Sequence, residues 1–163
     1  MIRLEDIQAP LSAWLENKEN LQTSLLSSGY QGSVYLFHHD DQYWVVKCAN
    51  DKWLTGWFHR MMLRREALVY EILSGVSGVP ISLGMLDDNF LILEFIEGKV
   101  LRDVEDKLHQ PESFYTKLHK IISEMHALGV AHGDLKRKDN ILVTNDSQPV
   151  VIDFGTALRR DGG

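Results

Sequence analysis

Along the first hundred residues, short apolar runs alternate with polar positions and are broken by polar turns. Residues 21–27, 33–39 and 42–48 are three such runs, separated by Ser28-Gly29-Tyr30-Gln31-Gly32 and by His39-Asp40-Asp41. This is the pattern of an antiparallel meander. Ahead of it, Pro10, Leu11, Trp14 and Leu15 predict a short helix reaching about Asn20, with Pro10 in its first turn. After the meander the period changes. Leu54, Phe58, Met61, Leu68 and Ile72 recur at intervals of three, four and seven, which predicts helix over 53–74, with Gly56 as an interruption near its start and Ser74-Gly75 at its end. A second hairpin follows, 81–86 and 90–96 around Asp87-Asp88-Asn89. Its run FLILEFI suits a strand buried on both faces and is closed by Gly98.

Beyond Gly98 the chain turns helical. A short stretch near 100–108 precedes a longer helix opened by Pro111, in which Phe114, Leu118, Ile121, Met125 and Leu128 share one face. After Gly129 a polar loop leads to the strand-like ILV at 141–143 and PVVI at 149–152. The whole is an α+β layout, β-rich in its N-terminal half and helical in its C-terminal half.

Composition narrows the class. With 163 residues, 44% apolar and 25% charged, the chain fits one domain or two small lobes sharing a core. Lys and Arg total 17 against 23 Asp and Glu, a net charge of −6. The chain as a whole would therefore repel nucleic acid and anionic lipid, leaving room only for a local basic patch. The opening MIRLEDIQAP places Glu5 and Asp6 where a secretory signal needs an apolar stretch. No apolar run approaches the ~20 residues of a membrane span. The lone cysteine, Cys48, has no internal disulfide partner and is expected to face the core as a small hydrophobe. A cytoplasmic protein is the expectation.

Candidate chemistry starts at Gly29-Tyr30-Gln31-Gly32-Ser33-Val34, which lies between two strands, where glycine lets the backbone approach a phosphate closely. Taken alone, a plain hairpin turn explains it as well. Lys47 ends Trp44-Val45-Val46-Lys47, and Glu66 follows nineteen residues later on the expected helix; each alone is an ordinary solvated side chain. The decisive segment is His132-Gly133-Asp134-Leu135-Lys136-Arg137-Lys138-Asp139-Asn140-Ile141-Leu142-Val143, with Asp153-Phe154-Gly155 beginning thirteen residues after Asn140.

In this order, the segments resemble the protein-kinase superfamily over about residues 21–160: Gly-rich loop, strand lysine, helix glutamate, catalytic loop and DFG motif. The resemblance implies a single two-lobed domain over 1–163, with 1–96 a β-rich N-lobe carrying a short N-terminal helix and 97–163 a minimal C-lobe. It implies ATP- and Mg²⁺-dependent transfer of a γ-phosphoryl group to a hydroxyl. Ser27, Gly29, Gly32 and Val34 would surround the phosphates, and Lys47, braced by Glu66, would hold the α- and β-phosphates. Glu94, Phe95 and Ile96 would line the adenine through backbone hydrogen bonds. Asp134 would be the catalytic base, Lys136 would neutralise charge on the moving phosphoryl group, and Asn140 and Asp153 would bind the metal.

Departures from the common pattern refine the expectation. Gly133 stands where HRD has arginine, and HGD resembles atypical kinases: the RIO kinases and bacterial sugar or antibiotic kinases. Lys136 resembles protein Ser/Thr kinases instead. The nearest overall likeness is to compact bacterial RIO-like or lipopolysaccharide-core (Kdo/heptose) kinases. The expected acceptor is a protein Ser/Thr hydroxyl, with a lipopolysaccharide-core sugar or other small molecule second and a nucleotide-binding pseudokinase scaffold third. Ser27 takes the place of the first loop glycine. Only eight residues follow Gly155, so a minimal or shortened chain without an activation segment is expected. Asn140 comes six residues after Asp134 instead of the usual five. One residue is extra, and Asp139 is the rival metal ligand; the strand-like run after Asn140 favours Asn140, with the extra residue absorbed as a bulge among Lys136, Arg137 and Lys138.

Three further features remain. His38-His39-Asp40-Asp41 reads as a hairpin turn in preference to a metal site, because adjacent strand residues point to opposite faces. His126 reads as a packing or hydrogen-bonding residue. The stretch 52–65 carries Lys52, Arg60, Arg64 and Arg65 without an acid, interleaved with Trp53, Trp57, Phe58, Met61 and Met62. It fits either a packed helix with a solvated basic face or a peripheral contact with an anionic membrane or partner.

Overall fold

The computed structural model describes residues 1–29, 32–50 and 53–160. Tyr30 and Gln31 of the Gly-rich segment and Lys52 of the basic stretch lie outside the described residues. The chain divides into two compact units, Met1–Ala67 with Ile81–Phe95 and Leu68–Pro80 with Ile96–Gly163.

The first unit is built on an antiparallel sheet. Strands β1 (Leu25–Ser28), β2 (Gly32–His39), β3 (Gln42–Ala49), β4 (Ser82–Leu86) and β5 (Phe90–Glu94) run in the order β1-β2-β3-β5-β4. Two of its hairpins reverse through pairs of aspartates with positive φ, Asp40 at 50° and Asp41 at 58°, Asp87 at 51° and Asp88 at 58°. Left-handed backbone at both central positions matches the twist of the flanking strands, and Asp is among the few side chains that tolerate it. His38 and His39 stack on different neighbours, Tyr43 and Phe37 respectively, as residues on opposite strand faces must.

On one face of the sheet, Phe37, Trp44, Val46, Leu86 and Ile92 pack with Ile7 and Leu11 of helix α1 (Leu4–Glu16) into the core of this unit. Each such side chain contributes about 1.5–3 kcal/mol by leaving water. β5 is buried on both faces, with Leu91, Ile92 and Leu93 all buried.

Several boundaries differ from the sequence expectation, each for a local reason. α1 begins at Leu4, where the Asp6 carboxylate accepts the Arg3 N–H at 2.8 Å. Pro10 therefore lies inside the helix and not in its first turn. Residues 21–23, expected in a strand, belong to helix α2 (Lys18–Thr23), whose N-cap Asn17 accepts from the Glu19 N–H at 2.9 Å. Helix α3 spans Gly56–Ile72, with Gly56 its first residue and not an interruption. Its apolar recurrence faces outward: Phe58, Met61 and Leu68 are exposed, while His59, Leu63, Glu66, Val69 and Tyr70 are buried. Cys48 is only half-buried, its thiol donating to the Ala49 carbonyl at 3.3 Å.

In the second unit, β6 (Gly98–Val100) leads into helix α4 (Leu101–Val104) and a 3₁₀ turn at Glu105–Lys107. Gly98 thus opens a strand where a terminator was expected. Helix α5 (Pro111–Ala127) buries Phe114, Leu118, Ile121 and Met125, but Leu128 is the exposed C-cap and His126 is exposed, so neither packs as expected. β7 (Val130–Ala131), β8 (Ile141–Thr144), β9 (Pro149–Val151) and β10 (Leu158–Arg159) complete the unit. β6, β8 and β9 form one small antiparallel sheet in that order, and β7 pairs with β10.

The aspartate turns are open to test. Replacing Asp41 by Gly should raise stability by up to about 1 kcal/mol, since glycine adopts positive φ without a Cβ clash. A higher urea midpoint with an unchanged slope is the expected result.

Candidate functional site

In the first unit, strand register assembles one row across four strands. Val34 lies opposite Ser27 on one side and Lys47 on the other, and Lys47 lies opposite Leu91. Directly paired residues share a face, so Ser27, Val34 and Lys47 stand side by side on the face opposite the Val46 core. At the end of the row Gly29 N–H donates to Gly32 O at 2.9 Å. A Cβ on Gly32 would collide with the Cys48 backbone, so this position needs glycine irrespective of any ligand.

Lys47 Nζ lies 2.5 Å from Glu66 Oε1. Glu66 is 4% exposed and Lys47 18%, so the pair is largely shielded from water. Removing one partner of such a pair leaves a buried charge and costs about 3–5 kcal/mol. At the end of β5, the Glu94 N–H donates to Ile81 O at 2.7 Å, and its carboxylate accepts the Ile81 N–H at 2.9 Å. Phe95, just beyond, packs its ring on Tyr43.

In the second unit the decisive segment is organised by His132, which is 2% exposed. Its Nε2–H donates to Ile152 O at 2.8 Å, and its Nδ1 accepts the Asp134 N–H at 3.2 Å. The ring leans on Phe154, which meets Tyr70 edge to face at 5.1 Å. Gly133, between His132 and Asp134, has φ of 87°, and a Cβ there would come within 2.6 Å of Thr156 O. No arginine fits that backbone. The Thr156 hydroxyl also donates to His132 O at 3.4 Å.

Asn140 is buried, and its amide donates to Asp134 O at 2.9 Å and to Asp134 Oδ2 at 3.2 Å. Ile152 N–H donates to Asn140 O at 2.9 Å, and Ile141 pairs with Val151, so β8 and β9 bring Asn140 and the segment leading to Asp153 together. Asp153 itself has φ of 62°, a left-handed value that Asp tolerates better than most side chains, with Gly155 N–H donating to its Oδ1 at 3.3 Å. Asp139 points elsewhere, its Oδ2 lying 2.9 Å from Arg102 Nη1 and 3.9 Å from Arg137 Nη2. Two successive tight turns, Arg137 N–H to Asp134 O and Asn140 N–H to Arg137 O, absorb the extra residue. In place of the bulge expected among Lys136, Arg137 and Lys138, the structure has a 3₁₀ turn at Lys138–Asn140. Lys136 is exposed.

The sequence of these elements matches the family description "Protein kinase domain" over residues 21–162. This chain belongs to the protein kinase family. A probable serine/threonine-protein kinase of Clostridium perfringens is 32% identical over 124 residues, covering 72% of this kinase domain and 18% of the relative. The serine/threonine-protein kinase PknH of Mycobacterium tuberculosis (strain ATCC 25618 / H37Rv) is 32% identical over 142 residues, 82% of this kinase domain and 22% of that protein. Maternal embryonic leucine zipper kinase of Xenopus laevis is 33% identical over 79 residues, 45% of this chain and 12% of its own length. The kinase domain here thus spans about a fifth or less of each of these relatives.

Sequence reasoning gave no role to His132, Phe154 or Tyr70. The first two lie inside recognised motifs, which was the available signal; Tyr70, on the buried face of α3, carried none. Glu105 was also missed. Its carboxylate accepts from Lys138 and from the Tyr115 hydroxyl, the latter at 2.7 Å. The hydrogen bonds from Lys138 and Tyr115 hold Glu105 below the usual carboxylate range, and the same carboxylate pushes the Tyr115 phenol above its ordinary value.

Gly133→Ala should destabilise the kinase domain by about 1–3 kcal/mol, because positive φ and the Thr156 carbonyl both oppose a Cβ; denaturant unfolding checks it. The Tyr115–Glu105 bond exists while the phenol is protonated, so its contribution is present below the unfolded tyrosine pKa and lost as pH rises through the elevated folded value. Ultraviolet titration should show a late-ionising tyrosine that returns to ordinary behaviour in Glu105→Gln.

Proposed function

We propose that this chain is a single kinase-like catalytic domain that transfers the γ-phosphoryl group of ATP to a protein Ser/Thr hydroxyl. The observation that carries the reading is the shielded Lys47–Glu66 pair. A lysine fixed in one geometry by a buried carboxylate is a device for holding anionic phosphates, and has little use as a surface charge.

In this reading Ser27, Gly29, Gly32 and Val34 border the phosphates, Lys47 binds them, and Glu94, Phe95 and Ile96 flank the adenine. Asp153 and Asn140 offer a carboxylate and an amide oxygen, hard donors suited to Mg²⁺, which takes one or two protein ligands beside phosphate oxygens and water. Bound there, Mg²⁺ would neutralise phosphate charge. Asp134 orients the acceptor hydroxyl and takes its proton, and Lys136 offsets negative charge on the transferring group. The Asn140 amide, at 3.2 Å from Asp134 Oδ2, fixes the direction of that carboxylate.

Both bacterial relatives are described as serine/threonine-protein kinases, which favours a protein acceptor. RIO-like likeness, a lipopolysaccharide-core sugar acceptor and a pseudokinase role are the outcomes against which the assay is set. Incubation with labelled ATP and Mg²⁺ should label Ser or Thr in a protein substrate. Label confined to lipopolysaccharide, or no transfer by a folded protein, would overturn the reading. Lys47→Met should lower turnover by at least about a hundredfold, on the scale of other electrostatic contributions to charge stabilisation. Because it strands Glu66, Glu66→Gln is the companion variant: it should also lower turnover, without a buried unpaired carboxylate. Asn140→Ala should be as damaging as Lys47→Met, and Asp139→Ala far less so.

For location we propose the cytoplasm with peripheral contact at an anionic bilayer. No helix among the described residues is long and apolar enough to cross a membrane. Trp53 is 92% exposed, Leu54 75% and Trp57 62%, beside Arg60, Arg64 and Arg65. Tryptophans suit the headgroup boundary, and arginines snorkel to lipid phosphates. Arg64 pairs with Asp88 at 3.1 Å, which reduces its own share of the salt dependence. Sedimentation with phosphatidylglycerol vesicles should fall as salt rises and be lost in Trp53→Ser/Trp57→Ser; sedimentation that neither salt nor this variant alters would sink the contact.

A further inference from the structure

Three consecutive cations, Lys136, Arg137 and Lys138, occupy the segment that carries the extra residue, and all three are exposed. Such a run repels itself and would by itself leave the loop loosely placed. Two carboxylates answer it. Asp139, 3.9 Å from Arg137, also meets Arg102 of α4 at 2.9 Å, and Glu105 of the following 3₁₀ turn meets Lys138. Glu105 is tied in addition to α5 through the Tyr115 hydroxyl at 2.7 Å. The loop is thus fastened to two helical elements on one side, while Asn140 is fastened to Asp134 and Ile152 on the other.

We infer that Arg102–Asp139 and Glu105–Lys138 are struts that fix the extra residue of the loop and so determine that Asn140, not Asp139, reaches Asp134. Arg102 and Glu105 are positioning residues; the inference rests on the reading of Asp134 and Asn140 given above. The geometry has a definite logic. A loop one residue longer has two registers open to it, one presenting Asn140 and one presenting Asp139. Drawing the Asp139 carboxylate to Arg102 removes the second register, and keeping the first leaves Ile141 opposite Val151, with the side chains of β8 on their proper faces. A single exposed pair contributes little by itself, but pairs on one short loop act on the same displacement and are expected to couple.

The test is a double-mutant cycle of Arg102→Gln and Asp139→Asn in the full chain. Amide hydrogen exchange at Asn140 and Ile152, whose N–H groups donate to Arg137 O and Asn140 O, reports the loop in the protein without nucleotide. Each single variant should speed exchange about three- to tenfold, the range set by exposed pairs acting together. The double variant should go no further, and Arg102→Lys should recover most of the protection. In turnover, kcat should fall with KM for ATP unchanged. Unchanged exchange in both single variants, or effects that simply add, would overturn the struts. Loss of turnover in Asp139→Asn with full turnover and exchange protection in Arg102→Gln would do so too, by making Asp139 the ligand. If the wild-type chain transfers no phosphoryl group, the proposed function fails while the exchange data still decide the struts.

Discussion

The hydrogen bond from His132 to the Ile152 carbonyl joins two segments twenty residues apart, and the arrangement of the second unit follows from it. A buried imidazole is stabilised when both of its nitrogens find partners inside the protein. With Nε2 committed to Ile152, Nδ1 is turned to receive the Asp134 N–H. The same ring leans on Phe154. One side chain therefore sets the backbone before Asp134 and the backbone before Asp153, the two carboxylates on which the proposed chemistry rests. Gly133 makes this compact junction sterically accessible, since the Thr156 carbonyl occupies the space of a Cβ.

The first unit obeys the same rule with charge in place of a neutral ring. Glu66 is buried on the inner face of α3, and Lys47 reaches it from β3. The price of sheltering that carboxylate is that α3 cannot use a conventional apolar stripe inward along its whole length. Its recurring large apolar residues lie on the opposite side, where Trp57, Phe58 and Met61 are exposed. The outward aromatic face and the inward ion pair are two sides of one helical placement.

Much of this was legible in the sequence because it is local. Period-two alternation located β2 and β3, apolar continuity located β5, and the inward positions of α5 from Phe114 to Met125 followed from helical spacing. Motif order located Lys47, Glu66, Asp134 and Asp153. What was not legible depends on partners distant in the chain. Periodicity found α3 but could not orient it, since a stripe of apolar residues does not say whether a charged pair has claimed the interior. The helical state of residues 21–23 hung on a cap by Asn17, a contact worth about 1 kcal/mol and easily outweighed in a reading by strand-like composition. β7 and β10 are two residues each, too short to carry a period. Arg102 and Glu105 had no motif at all; only the folded loop shows what they meet.

The aspartate turns bear on how the first sheet can assemble. A hairpin closed by Asp40-Asp41, and another by Asp87-Asp88, each bring strands together across a few residues. The pairing of β3 with β5 is of another kind, since Lys47 meets Leu91 more than forty residues later, and α3 lies in the interval. Loop closure grows slowly in entropy with length, but it must precede any reward from the contacts it creates. The sheet is therefore two locally encoded ribbons and one non-local seam. Lys47 sits on that seam, so the strand that presents the lysine acquires its full set of neighbours only when the most demanding contact in the unit has formed. A domain built this way ties the lysine proposed to hold phosphate to the completion of its own topology.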